Sequence, residues 1–442
     1  MNVATALSGL PPSSANLRRL TSLGFIVDRR RTFARQIAKN GRCFSLRVPV
    51  FGATVVVADP ALAKQIFTTG PDVLCNVQPN LSRGFGDGSL FALDGAEHRR
   101  RRKLLTPPFH GKGISAYERI IEEETLSEMA TWPEGTEFET LEPMMRITLN
   151  VILRGVFGAE GIELERLREV VPTWVTLASR LVFSPLPRTS GRWNPWTKLE
   201  SYRRTYESLI DSLIRKAQHD PMLDERTDIL ALFLRSTYDD GSVMSRSEIG
   251  DELLTLLAAG HGTTASTLAW VLERVSRHPD VLRRLVEEAA GQGNAYRQAT
   301  IMETQRVRTV IDLASRRVVA PSYQLGPWRI PQGHTIMVSL HELHKSAEEF
   351  PDPARFDPQR FLDGRSNSSA WVPFGGGTRR CVGAAFANME MDVVLRTLLR
   401  TMTIQATDRP GEKSHNRGVA YTPKRGARAV VYRRTAVPGD QI

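Results

Sequence analysis

The strongest constraint in this chain is a stretch that reads as one long buried helix. Ser245 and Glu248 have the spacing of a capping box, in which each side chain accepts the other residue's backbone N–H. His278-Pro279 stops a helix begun there. The spacing predicts a helix from Ser245 to about Arg277, ~33 residues and ~50 Å long, enough to cross a whole domain. Its middle, LLTLLAAGHGTTASTLAW, is apolar nearly all round, so it belongs inside a core. Gly260 and Gly262 sit within it, each costing roughly 1 kcal/mol against alanine. Either a second helix crosses closely there, or something large approaches the backbone. The segment alone does not choose.

The rest of the chain must be built around that helix. At 442 residues, length alone suggests about three domains, but no Gly/Ser-rich linker and no repeat divides the sequence. Residues 1–15, with Pro11, Pro12, Ser13 and Ser14, read as a loose segment, and residues 16–442 as a single domain. A basic helical stretch carries Phe33 and Ile37 one turn apart. FSLRVPVFGATVVVADP then reads as a hairpin turning near Phe51-Gly52, and Asp59-Pro60 as an N-cap and first helical residue. From about 95 to 310 the apolar period is helical. After 310 the chain is irregular and proline-rich, with short strands such as VVAPSYQL and HTIMVSL, and helix returns after Cys381. The expected fold is mainly α with smaller β regions.

Composition narrows the function. With 41% hydrophobic and 24% charged residues the chain is globular rather than disordered or collagen-like. The net charge of +11 points to an acidic partner or anionic ligand. Basic residues are not interleaved with aromatics as in single-strand binders, so nucleic acid is not expected. Three cysteines, Cys43, Cys75 and Cys381, leave at least one free thiol and fit a reducing compartment. No run approaches the ~20 apolar residues of a membrane span, and the N-terminus lacks a signal-peptide layout. The expectation is a cytoplasmic protein and a monomer.

The segment from Trp371 to Ala387, WVPFGGGTRRCVGAAFA, carries the chemistry. Gly375, Gly376 and Gly377 make a tight loop, and Cys381 follows just ahead of a helical run. Unpaired N–H groups at a helix start, with Arg379 and Arg380 beside them, favour a thiolate. Gly383, Ala384 and Ala385 leave room for a flat group against that helix. A buried inert cysteine is the commoner fate of a lone Cys, but glycines, arginines and helix start together argue for an activated one.

Phe374, Gly377, Arg379, Cys381 and Gly383 match F-x-x-G-x-R-x-C-x-G, and the chain resembles the cytochrome P-450 family, soluble bacterial type. Further segments are similar to that family in the right order. Glu303-Thr304-Gln305-Arg306 resembles its E-x-x-R helix, FDPQRF from Phe356 its meander, and AGHGTT from Ala259 its oxygen-binding helix motif. The resemblance implies haem b with Cys381 as the axial thiolate and metal ligand, which favours O–O cleavage over reversible O₂ carriage. It implies that His98, Arg102, Arg317 and Arg379 neutralise the haem propionates, and that Glu303, Arg306 and Arg360 form a structural ion triad away from substrate. Thr263, Gly262 and His261 are the candidate catalytic residues. Gly262 stands where the family usually has Asp or Glu, and Thr309 where proline is frequent.

The resemblance also implies the reaction: O₂ activated with two electrons from NAD(P)H, delivered through a ferredoxin or flavodoxin and its reductase, to hydroxylate or epoxidise a lipophilic small molecule. Arg99, Arg100 and Lys103 would present a basic proximal face to an acidic donor. The substrate would lie against residues 80–93, 174–183, Ala258, Ala259 and 419–421. The missing acid at Gly262 keeps two alternatives open, a haem-binding carrier or sensor and a peroxide-driven peroxygenase.

Overall fold

The computed structural model describes residues 9–13, 18–78, 80–109, 117–158, 161–181, 194–362 and 369–434. About 54% of the chain is helical, so the fold is mainly α with a small β region, as expected. The long helix runs Arg246–Val275 behind the capping box: Ser245 Oγ accepts the Glu248 N–H at 3.2 Å, and Glu248 Oε2 accepts the Ser245 N–H at 2.8 Å. It stops two residues short of the predicted end, and Pro279 opens the next helix, Pro279–Ala290. Its principal neighbour is the helix Leu141–Phe157.

The two glycines resolve differently. A Cβ on Gly260 would meet Ile152 Cδ1 at 2.7 Å, so this glycine serves the close crossing with Leu141–Phe157. A Cβ on Gly262 would meet nothing within 4 Å, because that side of the helix faces a cavity.

The β region is a five-stranded sheet ordered Cys43–Val48, Gly52–Val57, Thr335–Ser339, Leu313–Val318, Leu74–Asn76. The expected hairpin pairs Val48 with Gly52 across its turn, where Val50 and Gly52 have φ of 72° and 74°. Asp59 caps the helix Pro60–Thr68 by accepting the Leu62 N–H at 2.9 Å. Of the segment expected to be loose, residues 1–8, 14 and 15 lie outside the described residues. Pro12 and Ser13 are docked: the Pro12 carbonyl accepts the Ser45 N–H at 2.8 Å, and Ser13 bridges Ser45. The reason is that Cys43–Val48 is an edge strand whose backbone groups need partners. No described helix is long and apolar enough to cross a membrane.

Candidate functional site

The cysteine loop is shaped by contacts that only glycine permits. Gly375 and Gly377 have φ of +68° and +67°, and a Cβ on Gly377 would strike the Phe67 carbonyl of the helix Pro60–Thr68. The Phe374 carbonyl accepts the Cys381 N–H at 3.0 Å, closing the loop. Gly383 then caps the helix Ala384–Thr401. Phe374, Cys381 and Gly383 all line a cavity of about 1110 Å³ roofed by the long helix. That volume exceeds the ~300–1,000 Å³ of an ordinary single-ligand pocket, leaving room for a flat cofactor and a second molecule together.

Cys381 is exposed, but into this cavity rather than into bulk water. Burial pushes its thiol up, and the Gly383 N–H, Arg102 and Arg380 only partly oppose that. A metal cation held by Cys381 would supply the positive charge that favours the thiolate.

A cationic wall borders the same cavity. His98 and Arg102 share one face of the helix Gly95–Leu105, and Arg379 reaches them from the cysteine loop. Arg379 donates to the Leu90 carbonyl at 3.3 Å, to the Leu93 carbonyl, and to Asp94 Oδ1 at 2.9 Å. Burial, then Arg379 and Arg102, depress His98 to about 4, so its imidazole is neutral. Arg317 is not part of this wall, contrary to expectation. It lies on Leu313–Val318, where successive side chains point to opposite faces, and donates outward to the Gly333 carbonyl at 3.1 Å. Its neighbour Arg316 lines the cavity instead, and burial followed by Arg379 pulls that guanidinium down to about 10. Arg316 makes no ion pair with a carboxylate among the described residues. Arg102, Arg316 and Arg379 thus crowd into a desolvated wall with Asp94 the one acid paired to them among the described residues. Such a wall fits a cofactor that carries its own carboxylates, as haem does.

The opposite wall is the long helix. Thr263 Oγ1 donates to the Ala259 carbonyl at 2.7 Å and lines the cavity beside Gly262. His261 lines it too; it is buried, its Nδ1 has no partner among the described residues, and burial lowers it to about 4. One acid was missed in the sequence. Glu252, three helical turns before Thr263, is fully buried at the cavity edge, and burial raises it to about 7 against the pull of Arg101. Its Oε2 accepts the Leu90 N–H at 2.9 Å, while Oε1 has no partner among the described residues. A charged residue at a core position of an otherwise apolar helix was the available signal.

The expected substrate walls are met in part. Asn80, Leu81, Phe85, Leu90 and Phe91 line the cavity, as do Val175, Thr176, Ser179, Ala258, Ala259, Val419 and Ala420. Trp174 does not: it packs edge-on against Tyr206, with ring centroids 5.1 Å apart. Tyr421 lies under Arg30 instead, 3.6 Å from guanidinium carbon to ring centroid. Residues 182 and 183 lie outside the described residues. Sequence reasoning also missed the rim pair Arg29–Asp312, a bidentate contact at 2.7 and 2.8 Å that joins positions 283 residues apart.

The expected ion triad is assembled. Arg306 meets both oxygens of Glu303 at 2.7 and 2.8 Å, and Arg360 Nε reaches Glu303 Oε1 at 3.2 Å. All three are buried, and none lines the cavity.

The basic run is a partial correction. Arg100 pairs with Asp240 at 2.8 Å and Lys103 with Asp239 at 2.7 Å, while Arg101 is buried against Glu248 and Glu252. Only Arg99 of the three proposed docking cations is exposed without an ion pair among the described residues. The run looked free because its acids come from a loop about 140 positions away in sequence.

Comparison with known proteins bears on the whole arrangement. A family model described as Cytochrome P450 matches residues 28–428. A Mycobacterium tuberculosis protein carrying the provisional name cytochrome P450 138 is 58% identical over 426 residues, covering 96% of this chain and 97% of its own length. A second from that organism, provisionally cytochrome P450 137, is 37% identical over 413 residues, covering 92% of this chain and 86% of its own. Among solved structures, cyanobacterial CYP120A1 with retinoic acid bound superposes with a TM-score of 0.85 at 22% identity, covering 96% and 99% of the two chains. The likeness to that structure is one of fold.

Proposed function

The chain belongs to the cytochrome P450 family, the haem mono-oxygenases, and on that premise we propose that Cys381 ligates haem b while the long helix presents Thr263 to the oxygen side. The observation that carries this reading is the placement of Cys381 on one side of a cavity whose edge holds His98, Arg102, Arg316 and Arg379. Bound haem supplies the iron at which O₂ is activated and one oxygen atom passed to substrate. The protein's own part is binding and proton handling. The cationic wall takes the two propionates by charge-assisted hydrogen bonds. Thr263 Oγ1, whose own proton is given to the Ala259 carbonyl, can accept a hydrogen bond from water or substrate. His261 Nδ1 and the space beside Gly262 offer a polar route for protons in place of the family's usual acid.

The substrate reading is a lipophilic small molecule, supported by the largely apolar side chains of the cavity wall. The retinoic acid held by the cyanobacterial neighbour is likewise an apolar chain with one polar end. Electrons come from NAD(P)H through a ferredoxin or flavodoxin and its reductase, docking near Arg99, Arg100 and Lys103. The pairs at Arg100 and Lys103 are surface contacts worth about 0–1 kcal/mol each, so an acidic donor can compete for both cations.

The open space at Gly262 favours a second reading, in which hydrogen peroxide replaces O₂ and the donor, because that route asks less of an acid relay. The experiment for both is spectral and kinetic. Purified protein should contain haem b, and its reduced carbon monoxide complex should show the red-shifted band of a thiolate-ligated haem. Cys381→Ser should lose that band, and a variant that keeps it removes Cys381 as the ligand. Turnover with ferredoxin and reductase, set against turnover with peroxide alone, separates the two readings.

A further inference from the structure

Thr309 stands out in the sequence and the site described above does not use it. It lies two residues beyond the helix Ala295–Val307 that carries Glu303 and Arg306, and it is fully buried. Its Oγ1 is 2.8 Å from His344 Nδ1 and donates to the Arg306 carbonyl at 3.1 Å. His344 is also fully buried, and its Nε2 accepts the N–H of Val372 at 3.1 Å. Those partners fix the tautomer. Nε2 accepts a backbone N–H and so holds no proton; Nδ1 therefore carries the proton and donates it to Thr309 Oγ1. Burial above all, then the Arg306 guanidinium, which donates to the His344 carbonyl at 3.0 Å, and Arg30 keep the imidazole neutral.

Val372 opens the turn at the start of the cysteine loop. Its carbonyl accepts the Gly375 N–H at 3.0 Å, forming the turn that leads to Phe374, and Phe374 in turn holds the Cys381 N–H. Hydrogen bonds, joined through the backbone of Val372, thus link the end of the triad helix to the cysteine.

We propose that Thr309, His344 and the Val372 amide form a strut that fixes the cysteine loop to the triad helix, making Thr309 and His344 positioning residues for Cys381. Proline at position 309 has no hydroxyl to accept the Nδ1 proton, so this chain's threonine supplies the link. With the acceptor gone, the buried Nδ1–H is left unpaired, and the imidazole gains by turning or by moving its proton to Nε2. Either change takes away the acceptor of the Val372 N–H. The inference rests on Cys381 being the haem ligand, but its test reads the backbone directly.

The test is amide hydrogen exchange of the haem-loaded protein, with Thr309→Val, Thr309→Ser and His344→Gln beside the wild type. Thr309→Val should speed exchange in the peptide spanning residues 371–375 about tenfold, the scale of one buried donor left unpaired. Peptides from the long helix should keep their rates. Thr309→Ser, which retains the hydroxyl, should exchange as the wild type does. In Thr309→Val the reduced carbon monoxide complex should also lose its thiolate-type band faster on standing. An unchanged rate in residues 371–375 overturns the proposal, and so does acceleration spread evenly over the chain, which is plain destabilisation. Should Thr309→Val fail to accumulate folded, His344→Gln carries the same two outcomes. If Cys381→Ser keeps the thiolate band while the exchange result holds, the strut stands and the ligand assignment falls.

Discussion

Neighbouring arginines on one strand should respond differently to the same change. Arg316 faces the cavity wall, and Arg317 reaches the Gly333 carbonyl on the other side of the sheet. Before haem binds, burial and Arg379 both work against the Arg316 charge. Arg316→Leu should therefore stabilise the haem-free protein, since it removes a desolvated cation with no carboxylate partner among the described residues. Once haem is bound, the sign reverses. A hydrogen bond from a guanidinium to a propionate contributes about 1.5–3 kcal/mol, and every 1.4 kcal/mol is tenfold. Arg316→Leu should then release haem roughly 10–150-fold faster. Arg317→Leu, away from the cavity, should stay within about 0.5 kcal/mol in both states. The assay is haem transfer to an excess of apomyoglobin, alongside urea denaturation of the haem-free form. Faster haem loss from Arg317→Leu than from Arg316→Leu would refute the placement of these side chains. A haem-free protein weakened by Arg316→Leu would refute the argument that the wall is strained until an anion arrives.

Glu303→Ala should cost about 3–5 kcal/mol, because it leaves Arg306 and Arg360 buried without their carboxylate. Urea denaturation of the haem-loaded protein measures it; normal stability with lowered turnover would instead move Glu303 into the active site. Gly262→Glu meets no neighbour at its Cβ and removes a helix-interior glycine. It should raise product formed per NAD(P)H consumed for a substrate that lacks a hydroxyl or acid of its own. Counting product, peroxide and NAD(P)H together gives the answer, and coupling that stays flat with substrate binding intact means the missing acid is not limiting.

What the sequence determined by itself is what depends on neighbours along the chain. The capping box at Ser245, the Asp59-Pro60 helix start, the hairpin at Phe51-Gly52 and the cysteine loop all follow from residues within a few positions of one another. Cap hydrogen bonds, turn dihedrals and helical period are local, so they are legible in order. The triad was legible only through the family's resemblance, because Arg360 meets Glu303 across 57 positions. The tertiary structure alone decided which arginine of the Arg316-Arg317 pair faces the cavity. Strand alternation says the two differ, but only the packing of the sheet says which face is inside. It likewise assigned Gly260 to a helix crossing and Gly262 to open space, and matched Arg100 and Lys103 with acids from a distant loop. It also set the net direction at Cys381, where burial by the whole cavity outweighs the positive groups nearby in sequence. Solvation, register and pairing across the fold depend on what surrounds a side chain in space, and a one-dimensional pattern does not hold that information.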